Sequence, residues 1–232
     1  MIHLCTAFYN TRGGADRLIK SVRGQTLDDW RWHVSVDPTM PDPEGLAAIQ
    51  AAAKTDPRID LKIQEASTAP IIGAAKDDAA KMLPDGEGWS AWLDSDDWLD
   101  IEALETIARY TADTKAAWMI SRVYDEPSRY AGPRMVHPRM DWDMLWRGGF
   151  GSGLPHLEAF RIERLREEPY DRLIALGEDW DIHLRFWKRW GPPVFIPKAL
   201  YHWRTGLSQY DPVRARAAMI RIRAKHVPGP QT

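Results

Sequence analysis

The first half of the chain alternates short apolar runs with amphipathic stretches, which predicts alternating strands and helices. The predicted strands cover residues 2–8, 32–36, 60–63, 89–93 and 116–123. The predicted helices between them cover residues 15–22, 44–54, 71–82 and 101–110. This alternation is typical of right-handed βαβ units in a mainly parallel sheet that is covered by helices on both faces. In such sheets ligands bind beyond the carboxyl ends of the strands.

The pattern changes in the second half of the chain. Residues 124–157 are rich in Pro, Gly, Arg and Trp, which favours irregular structure around an open site. A helix is predicted at 179–190, where Gly191 and two prolines end it. Short strands are predicted at 194–196 and 200–203, and a basic helix at 212–226.

The composition is that of a soluble globular protein, with 44% hydrophobic and 28% charged residues. The 31 basic and 33 acidic side chains give a net charge of −2, without the basic excess expected of a protein that binds nucleic acid. No apolar run approaches the ~20 residues of a membrane span, and the N-terminus lacks the pattern of a signal peptide. The single Cys5 cannot form an internal disulfide, which favours a reducing compartment. We therefore expect a cytoplasmic protein of one large domain or two small lobes that share a core.

An acidic segment, Asp94-Ser95-Asp96-Asp97, follows the predicted strand at 89–93. Its three carboxylates repel one another, and a bound cation would neutralise them. Mg²⁺ and Mn²⁺ are commonly held by one or two carboxylates together with substrate phosphates. The segment equally fits a second interpretation, in which Asp96 or Asp97 caps the helix that follows.

A second acidic pair, Glu178-Asp179, opens the predicted helix at 179–190. The pair fits helix capping, because the N-terminal dipole of a helix favours negative charge. In a functional interpretation, Asp179 is a general base at a cleft that faces the metal, and Trp180 helps to shape the pocket of an acceptor.

A third polar segment, Tyr201-His202-Trp203-Arg204, lies near the end of the predicted sheet. His202 has the chemistry of a Mn²⁺ ligand, and Arg204 can bind a diphosphate through two parallel hydrogen bonds. Both side chains equally fit the exposed face of an edge strand.

The order and spacing of these segments, over about residues 1–209, resemble the family 2 glycosyltransferases of the GT-A fold. The matching segments are Ala7-Phe8-Tyr9-Asn10, Ser21-Val22-Arg23-Gly24-Gln25-Thr26, the strand that leads to Asp37, Leu93-Asp94-Ser95-Asp96-Asp97, and Glu178-Asp179 with the helix and glycine that follow. Each motif is short, but their combination is specific.

The resemblance implies an α/β protein of the GT-A fold, with a Rossmann-like, mainly parallel central sheet flanked by helices and a small acceptor-side subdomain. It divides the chain into a nucleotide-sugar-binding half at 1–100 and an acceptor-binding, catalytic half of the same domain at 101–209. A basic C-terminal helix follows at 210–232.

The resemblance also implies roles for individual residues. The nucleotide-binding residues are Ala7, Phe8, Tyr9, Asp37, Lys76, Asp96 and Arg204. The ligands of Mn²⁺ or Mg²⁺ are Asp97, Asp96, Asp94 and His202. The catalytic residues are Asp179, as the base, and its neighbour Glu178. The residues that border the acceptor are His156, Arg161 and Trp180, although His156 also fits a purely structural histidine.

The sequence departs from the pattern of the family at three positions. Asp37 is a single acidic residue where two are common, which leaves the choice of nucleobase open. Lys76 stands where the family often has Arg, so a bidentate contact is lost. His202 precedes Arg204, the reverse of the usual order, so either residue could meet the metal or the diphosphate.

The resemblance implies a metal-dependent, inverting glycosyltransferase that uses a nucleoside-diphosphate sugar, most often a UDP-sugar. Transfer of a hexosyl or N-acetylhexosaminyl group would go to a hydroxyl of a glycan, lipid-linked or protein acceptor, as in polysaccharide biosynthesis. One alternative is a nucleotidyltransferase, for which the loop Asn10-Thr11-Arg12-Gly13-Gly14 only hints at the phosphate-binding sequence required. The other alternative is a non-catalytic module that binds sugar nucleotides or glycans.

The predicted C-terminal helix carries five basic residues, which are Arg214, Arg216, Arg221, Arg223 and Lys225. A solvated amphipathic helix packed on the core is the default interpretation. The alternative is an interfacial helix that contacts an anionic membrane near a lipid-linked acceptor, which would make the protein peripheral to the membrane.

Overall fold

The fold is seen in a computed structural model, which describes residues 1–37, 39, 41–65, 72–126, 133–134, 142–148, 157–204 and 212–226. The strands in these ranges are β1 (Ile2–Phe8), β2 (Trp30–Val36), β3 (Ile59–Ile63), β4 (Trp89–Trp92), β5 (Trp98–Leu99), β6 (Trp118–Glu126), β7 (Pro133–Arg134), β8 (Glu158–Arg161) and β9 (Val194–Arg204). The helices are α1 (Ala15–Arg23), α2 (Pro43–Thr55), α3 (Ile72–Ala80), α4 (Ala103–Asp113), α5 (Trp142–Gly148), α6 (Ile162–Glu167), α7 (Glu178–Trp190) and α8 (Pro212–His226).

The strands form one sheet with the order β3-β2-β1-β4-β8-β6-β9-β5, and β7 pairs with β6. The half from β3 to β4 is parallel, as the βαβ pattern predicts. Beyond β4 the sheet is mixed, because β8 runs antiparallel to both β4 and β6. Strands from both predicted halves, 1–100 and 101–209, thus belong to the same sheet.

Local sequence explains where several helices begin. In α2, Pro43 occupies the first turn, and the Asp42 carboxylate accepts a 2.8 Å hydrogen bond from the N–H of Gly45. Helix α7 begins after Gly177, whose φ of 85° lies in the left-handed region that favours glycine.

One strand in the second half of the chain is longer than the sequence predicts. Most of the segment 124–157, where irregular structure is predicted, lies outside the described residues. Strand β9 is continuous, whereas the sequence predicts two short strands separated near Pro197. The pairing of β6 with β9 shifts register at this point, from Ser121 opposite Ile196 to Arg122 opposite Ala199. This irregularity accommodates Pro197, which cannot donate a ladder hydrogen bond, and the strand continues beyond it.

Apolar side chains fill both faces of the sheet. One cluster joins Leu4, Val34 and Ala91 to helices α1, α2 and α4. The opposite cluster contains Cys5 and Phe160 together with residues of α3 and α7. A smaller third cluster packs α5, α7 and α8 together. The carboxyl ends of β1, β2 and β4 therefore lie side by side at one edge of a rigid layer.

Helix α8 packs against α7 through Ile222, which is buried beside Trp180 and Leu184. Among the helices in the described ranges, none has the length and apolar character that crossing a membrane requires.

Candidate active site

The acidic segment lies at the carboxyl edge of the sheet, next to the loop that follows β1. Ser95 fixes the two loops together, because its hydroxyl oxygen accepts hydrogen bonds from the N–H groups of Tyr9 and Asn10 at 3.4 and 3.3 Å. Asp96 forms an ion pair with the Arg12 Nε atom at 3.2 Å. The structure thus joins two segments that the sequence separates by more than eighty residues.

Asp97 is buried and held on both carboxylate oxygens by strand β9. The Tyr201 hydroxyl donates to Oδ2 at 2.7 Å, and the backbone N–H of Arg204 donates to Oδ1 at 2.7 Å. The same Tyr201 hydroxyl accepts a hydrogen bond from the N–H of Asp94 at 3.1 Å. Tyr201, which the sequence-based assignment of roles passed over, therefore orients the carboxylate.

The carboxylate oxygens of the acidic segment are of the type that a hard divalent cation prefers. Burial, with the nearby charges of Asp94 and Asp96, raises the pKa of Asp97 well above its ordinary value, and the two donated hydrogen bonds only partly offset this. A cation would relieve the repulsion among the three carboxylates. Within the described ranges, no group of three or more His, Cys, Asp or Glu side chains surrounds a common point. A metal here would therefore depend on substrate oxygens or water for its other positions.

Arg204 supports the glycine loop after β1. Its Nη1 atom donates to the carbonyl oxygens of Thr11 and Arg12 at 3.3 and 3.1 Å. Arg12 has a φ of 49°, in the region that favours glycine, so this support stabilises a strained turn. The guanidinium of Arg204 thus lies on the glycine loop, while its backbone N–H holds Asp97.

Lys76 connects the acidic segment with the start of α7. The Lys76 Nζ atom forms an ion pair with Asp179, lies 3.2 Å from Glu178 Oε1 and lies 3.7 Å from Asp94 Oδ1. Its side chain is only 4% exposed. The buried ammonium group of Lys76 therefore pairs with carboxylates from two distant parts of the sequence.

Burial and the electrostatic interactions among its members shift the pKa values of the groups in this cluster. Burial alone lowers the pKa of Lys76, but Asp179, Asp94 and Glu178 outweigh it and raise the pKa well above its ordinary value. Burial and the charge of Asp179 raise the pKa of Glu178 to about 8, against the opposing effect of Lys76. Near neutral pH, Glu178 therefore keeps its proton while Lys76 remains charged.

Close backbone packing brings Lys76 to this position. A β-carbon on Gly73, one turn earlier in α3, would lie 2.1 Å from the carbonyl oxygen of Asp171, a contact that only glycine avoids. The N–H of Gly73 donates to the carbonyl of Ile174 at 3.0 Å. Helix α3 therefore packs directly against the segment that leads into α7.

A second set of buried polar groups lies next to the ion pair of Lys76 and Asp179. The Tyr170 hydroxyl donates to Glu158 Oε1 at 3.0 Å, and His183 on α7 contacts the other oxygen of Glu158. The ring of Tyr170 also lies 5.7 Å from the Lys76 Nζ atom. The sequence carries no local signal for these contacts.

The predicted nucleotide-binding residues of β1 and β2 are neighbours at the ends of their strands. Ala7 pairs with Ser35 and Phe8 with Val36, while Phe8 itself is buried in the core. Tyr9 is 41% exposed at the edge. Asp37 accepts hydrogen bonds from the N–H and hydroxyl of Thr39, at 2.8 and 2.7 Å.

Three other predicted residues are not brought to this cluster. His202 lies on the opposite face of β9 from Tyr201, where its ring stacks on Trp98 and Tyr124. Arg161 pairs with Trp89, the first residue of β4, so it lies at the opposite edge of the sheet, and its guanidinium donates to backbone carbonyls there.

Trp180 is buried, and its Nε1 atom donates to the Leu145 carbonyl at 2.7 Å, so its ring belongs to the core between α5, α7 and α8. His156 lies outside the described residues.

The chain is similar in structure to two proteins that have been solved with nucleotide sugars. S. aureus TarS matches with a TM-score of 0.74 at 14% identity, over 100% of this chain and 40% of TarS. TarS residues 1–349 in complex with UDP-GlcNAc match with a TM-score of 0.73 at 14% identity, over 100% of this chain and 68% of that one. The mannosyltransferase PcManGT from Pyrobaculum calidifontis, in complex with GDP-Man and Mn²⁺, matches with a TM-score of 0.70 at 14% identity, over 100% of this chain and 65% of that one.

No protein-family model and no curated protein matches the sequence. At 14% identity the structural likeness establishes the fold alone. The protein has the GT-A-like fold that its sequence predicts, with a sheet flanked by helices, whereas membership of family 2 stays a prediction.

Proposed function

We propose that this protein is a glycosyltransferase that moves a sugar from a nucleoside-diphosphate sugar to an acceptor hydroxyl. The observation that carries the proposal is the position of Lys76 between Asp94 at the sheet edge and Asp179 at the start of α7. An acidic segment suited to a metal diphosphate and a carboxylate suited to proton transfer thus both pair with one buried cation. The GT-A-like fold, shared with structures solved with UDP-GlcNAc and with GDP-Man, supports this assignment.

The nucleotide would occupy the edge formed by β1 and β2, where Ala7 lies near the end of β1 and Tyr9 and Asp37 follow the two strands. The diphosphate would lie towards Asp96 and the guanidinium of Arg204, which offers planar donors to phosphate oxygens. UDP is the carrier that we would examine first.

Mn²⁺ or Mg²⁺ would be held by Asp97, with Asp96 and Asp94 nearby, and would supply positive charge for the phosphate that leaves. Tyr201 and the N–H of Arg204 keep the Asp97 carboxylate oriented. His202 is not needed in this arrangement, because its ring stacks on the other face of β9.

Asp179 is the residue proposed to act as the base. Its carboxylate takes the proton of the acceptor hydroxyl while the acceptor oxygen bonds to the anomeric carbon. The bond from that carbon to the diphosphate breaks on the opposite face, the nucleoside diphosphate leaves, and the configuration inverts. Lys76 holds Asp179 in place through their ion pair, whereas Glu178, with its raised pKa, stays protonated beside it.

Thermal unfolding with UDP, GDP, dTDP or CDP, each with Mn²⁺, Mg²⁺ or a chelator, tests the donor site. A nucleotide at 100 times its dissociation constant stabilises the fold by about 2.7 kcal/mol. We expect a metal-dependent rise with one of the four nucleotides. No rise with any of them would contradict the proposal.

Analysis of the released product tests the chemistry. The protein is incubated with a sugar nucleotide that carries the same nucleobase as the nucleotide that stabilised the fold. This incubation should release a nucleoside diphosphate. Release of pyrophosphate from a nucleoside triphosphate and a sugar phosphate would instead identify a nucleotidyltransferase. Binding of the sugar nucleotide without any turnover or hydrolysis would identify a binding module.

A further inference from the structure

Helix α8 has apolar side chains on two opposite faces. The inner face packs on α7 through Ile222 and Met219. The outer face carries Val213 and Ile220, which are 76% and 61% exposed. Together with the exposed residues Ala217 and Ala224, they fall within about 60° of the helix circumference at 3.6 residues per turn. A helix that was merely solvated on its outer face would place polar residues in this stripe.

Two arginines flank the outer stripe, one on each side. Arg216 and Arg221 are both exposed, and in the described part of the chain no carboxylate forms an ion pair with either. Lys225, one turn beyond Arg221, differs because it contacts Asp171 and Asp181. The outer face therefore presents apolar side chains between two cations that no carboxylate of the described residues neutralises.

The charge of this face decides which partner fits it. A two-fold contact with a second copy would place the same patch against itself, so Arg216 and Arg221 would face like charges. An anionic lipid surface is complementary in both respects, because its headgroups neutralise the arginines and its acyl boundary takes up the apolar stripe. Leu173, which is 84% exposed and follows the Asp171 that contacts Lys225, adds an apolar side chain near the same end of α8.

We propose that the outer face of α8 seats this protein on a membrane that contains anionic lipids. Helix α8 is coupled to α7 by one buried and one partly buried contact. His226 Nε2 lies 2.8 Å from Asp181 Oδ1, and Lys188 Nζ donates to the His226 carbonyl at 2.6 Å. Asp181 lies two residues after Asp179, so the proposed base keeps a fixed position relative to the membrane face. Given the proposed function, on which this point rests, the geometry favours an acceptor that is itself anchored in the membrane.

Co-sedimentation of the full chain with vesicles tests this proposal. We expect binding to vesicles of phosphatidylglycerol and phosphatidylcholine, and at least tenfold weaker binding to phosphatidylcholine alone. Replacing Arg216 and Arg221 together by Ala should weaken binding by about 25-fold, at about fivefold for each arginine near an anionic surface. The double variant Val213→Ser and Ile220→Ser should weaken it by about tenfold or more.

The matched controls are Ile101→Ser, which replaces an apolar side chain that is 59% exposed elsewhere, and Arg31→Ala, which removes another exposed cation. Both should bind vesicles as the unaltered protein does. Equal binding by the Val213/Ile220 variant, or no binding of the unaltered protein, would overturn the proposal. The proposal would also be overturned if the protein formed a dimer in solution and the Val213/Ile220 variant abolished that dimer.

Nucleotide-dependent thermal stabilisation, measured in parallel without vesicles, keeps the two proposals separate. The membrane variants should retain it, which also shows that they fold. Vesicle binding without any nucleotide effect would uphold the membrane surface and reject the transferase.

Discussion

Lys76 forms an ion pair with Asp179 across 103 residues of sequence, within a buried cluster that joins α3 to the start of α7. This contact means that the carboxylate proposed as the base is not a simple helix cap. Its charge is matched by a side chain that also lies 3.7 Å from Asp94 in the acidic segment. Folding and the arrangement of the site therefore depend on the same cation.

Replacing Lys76 by Met should lower both stability and activity. The change leaves Asp179 and Glu178 without their buried cation, and breaking a buried pair costs about 3–5 kcal/mol. Chemical denaturation measures the loss in the free energy of unfolding. Lys81→Met is the matched control, because Lys81 lies on the helical turn that follows α3, is 61% exposed and should contribute within about 0.5 kcal/mol. Equal stability of the two variants would show that the buried pair is not formed.

Replacing Asp179 by Asn should abolish transfer while nucleotide binding is retained. Loss of a general base lowers the rate by about 10²–10⁴-fold. Product release at saturating donor and the thermal shift with nucleotide separate the two effects. Asp113→Asn, an exposed change at the end of α4, should leave both unchanged. Transfer by the Asp179 variant at the unaltered rate would reject its role as the base.

Replacing Tyr201 by Phe should weaken metal-dependent nucleotide binding. The variant keeps the buried ring but removes the hydroxyl that donates to Asp97 at 2.7 Å. A hydrogen bond to a charged group contributes about 1.5–3 kcal/mol, so we expect the affinity for Mn²⁺ with nucleotide to fall by about tenfold or more. Isothermal titration measures this affinity, with Tyr110→Phe on α4 as the control. An unchanged affinity would mean that Tyr201 does not orient a ligand of the metal.

Glu178 should make stability depend on pH. Its pKa is raised from 4.5 in the unfolded chain to about 8 in the folded protein, so between these values the folded state holds a proton that the unfolded state releases. The free energy of unfolding contributed by this group therefore falls as pH rises from about 5 to about 8. Glu178→Gln should remove that fall.

The measurement is the difference in free energy of unfolding between the Gln variant and the unaltered protein. Taking the difference cancels the contribution of titrating groups that do not interact with Glu178, including His3, whose pKa burial and His33 lower to about 4. A difference that stays constant across this range of pH would contradict the raised pKa of Glu178.

Sequence periodicity by itself determined the parallel half of the fold and the edge that carries the acidic segment. Apolar runs and helical spacing are local features, and the rule that parallel strands end at one edge places Asp37 and Asp94 there without further information. The acidic start of α7 was also readable, because carboxylates near a helix N-terminus leave a local signal.

Only the tertiary structure decided which side chains meet. Tyr201, and not His202, contacts Asp97, because alternate residues of a strand point to opposite faces. The pairing of β6 with β9 shifts register twice, by two residues around Pro197 and by one residue between Ala199 and Tyr201. Those faces could therefore not be counted from the start of β9, since a slip of one residue exchanges them. The pairing of Lys76 with Asp179 likewise depends on how closely α3 approaches residues 171–174, a long-range packing contact that leaves no periodic trace in the sequence.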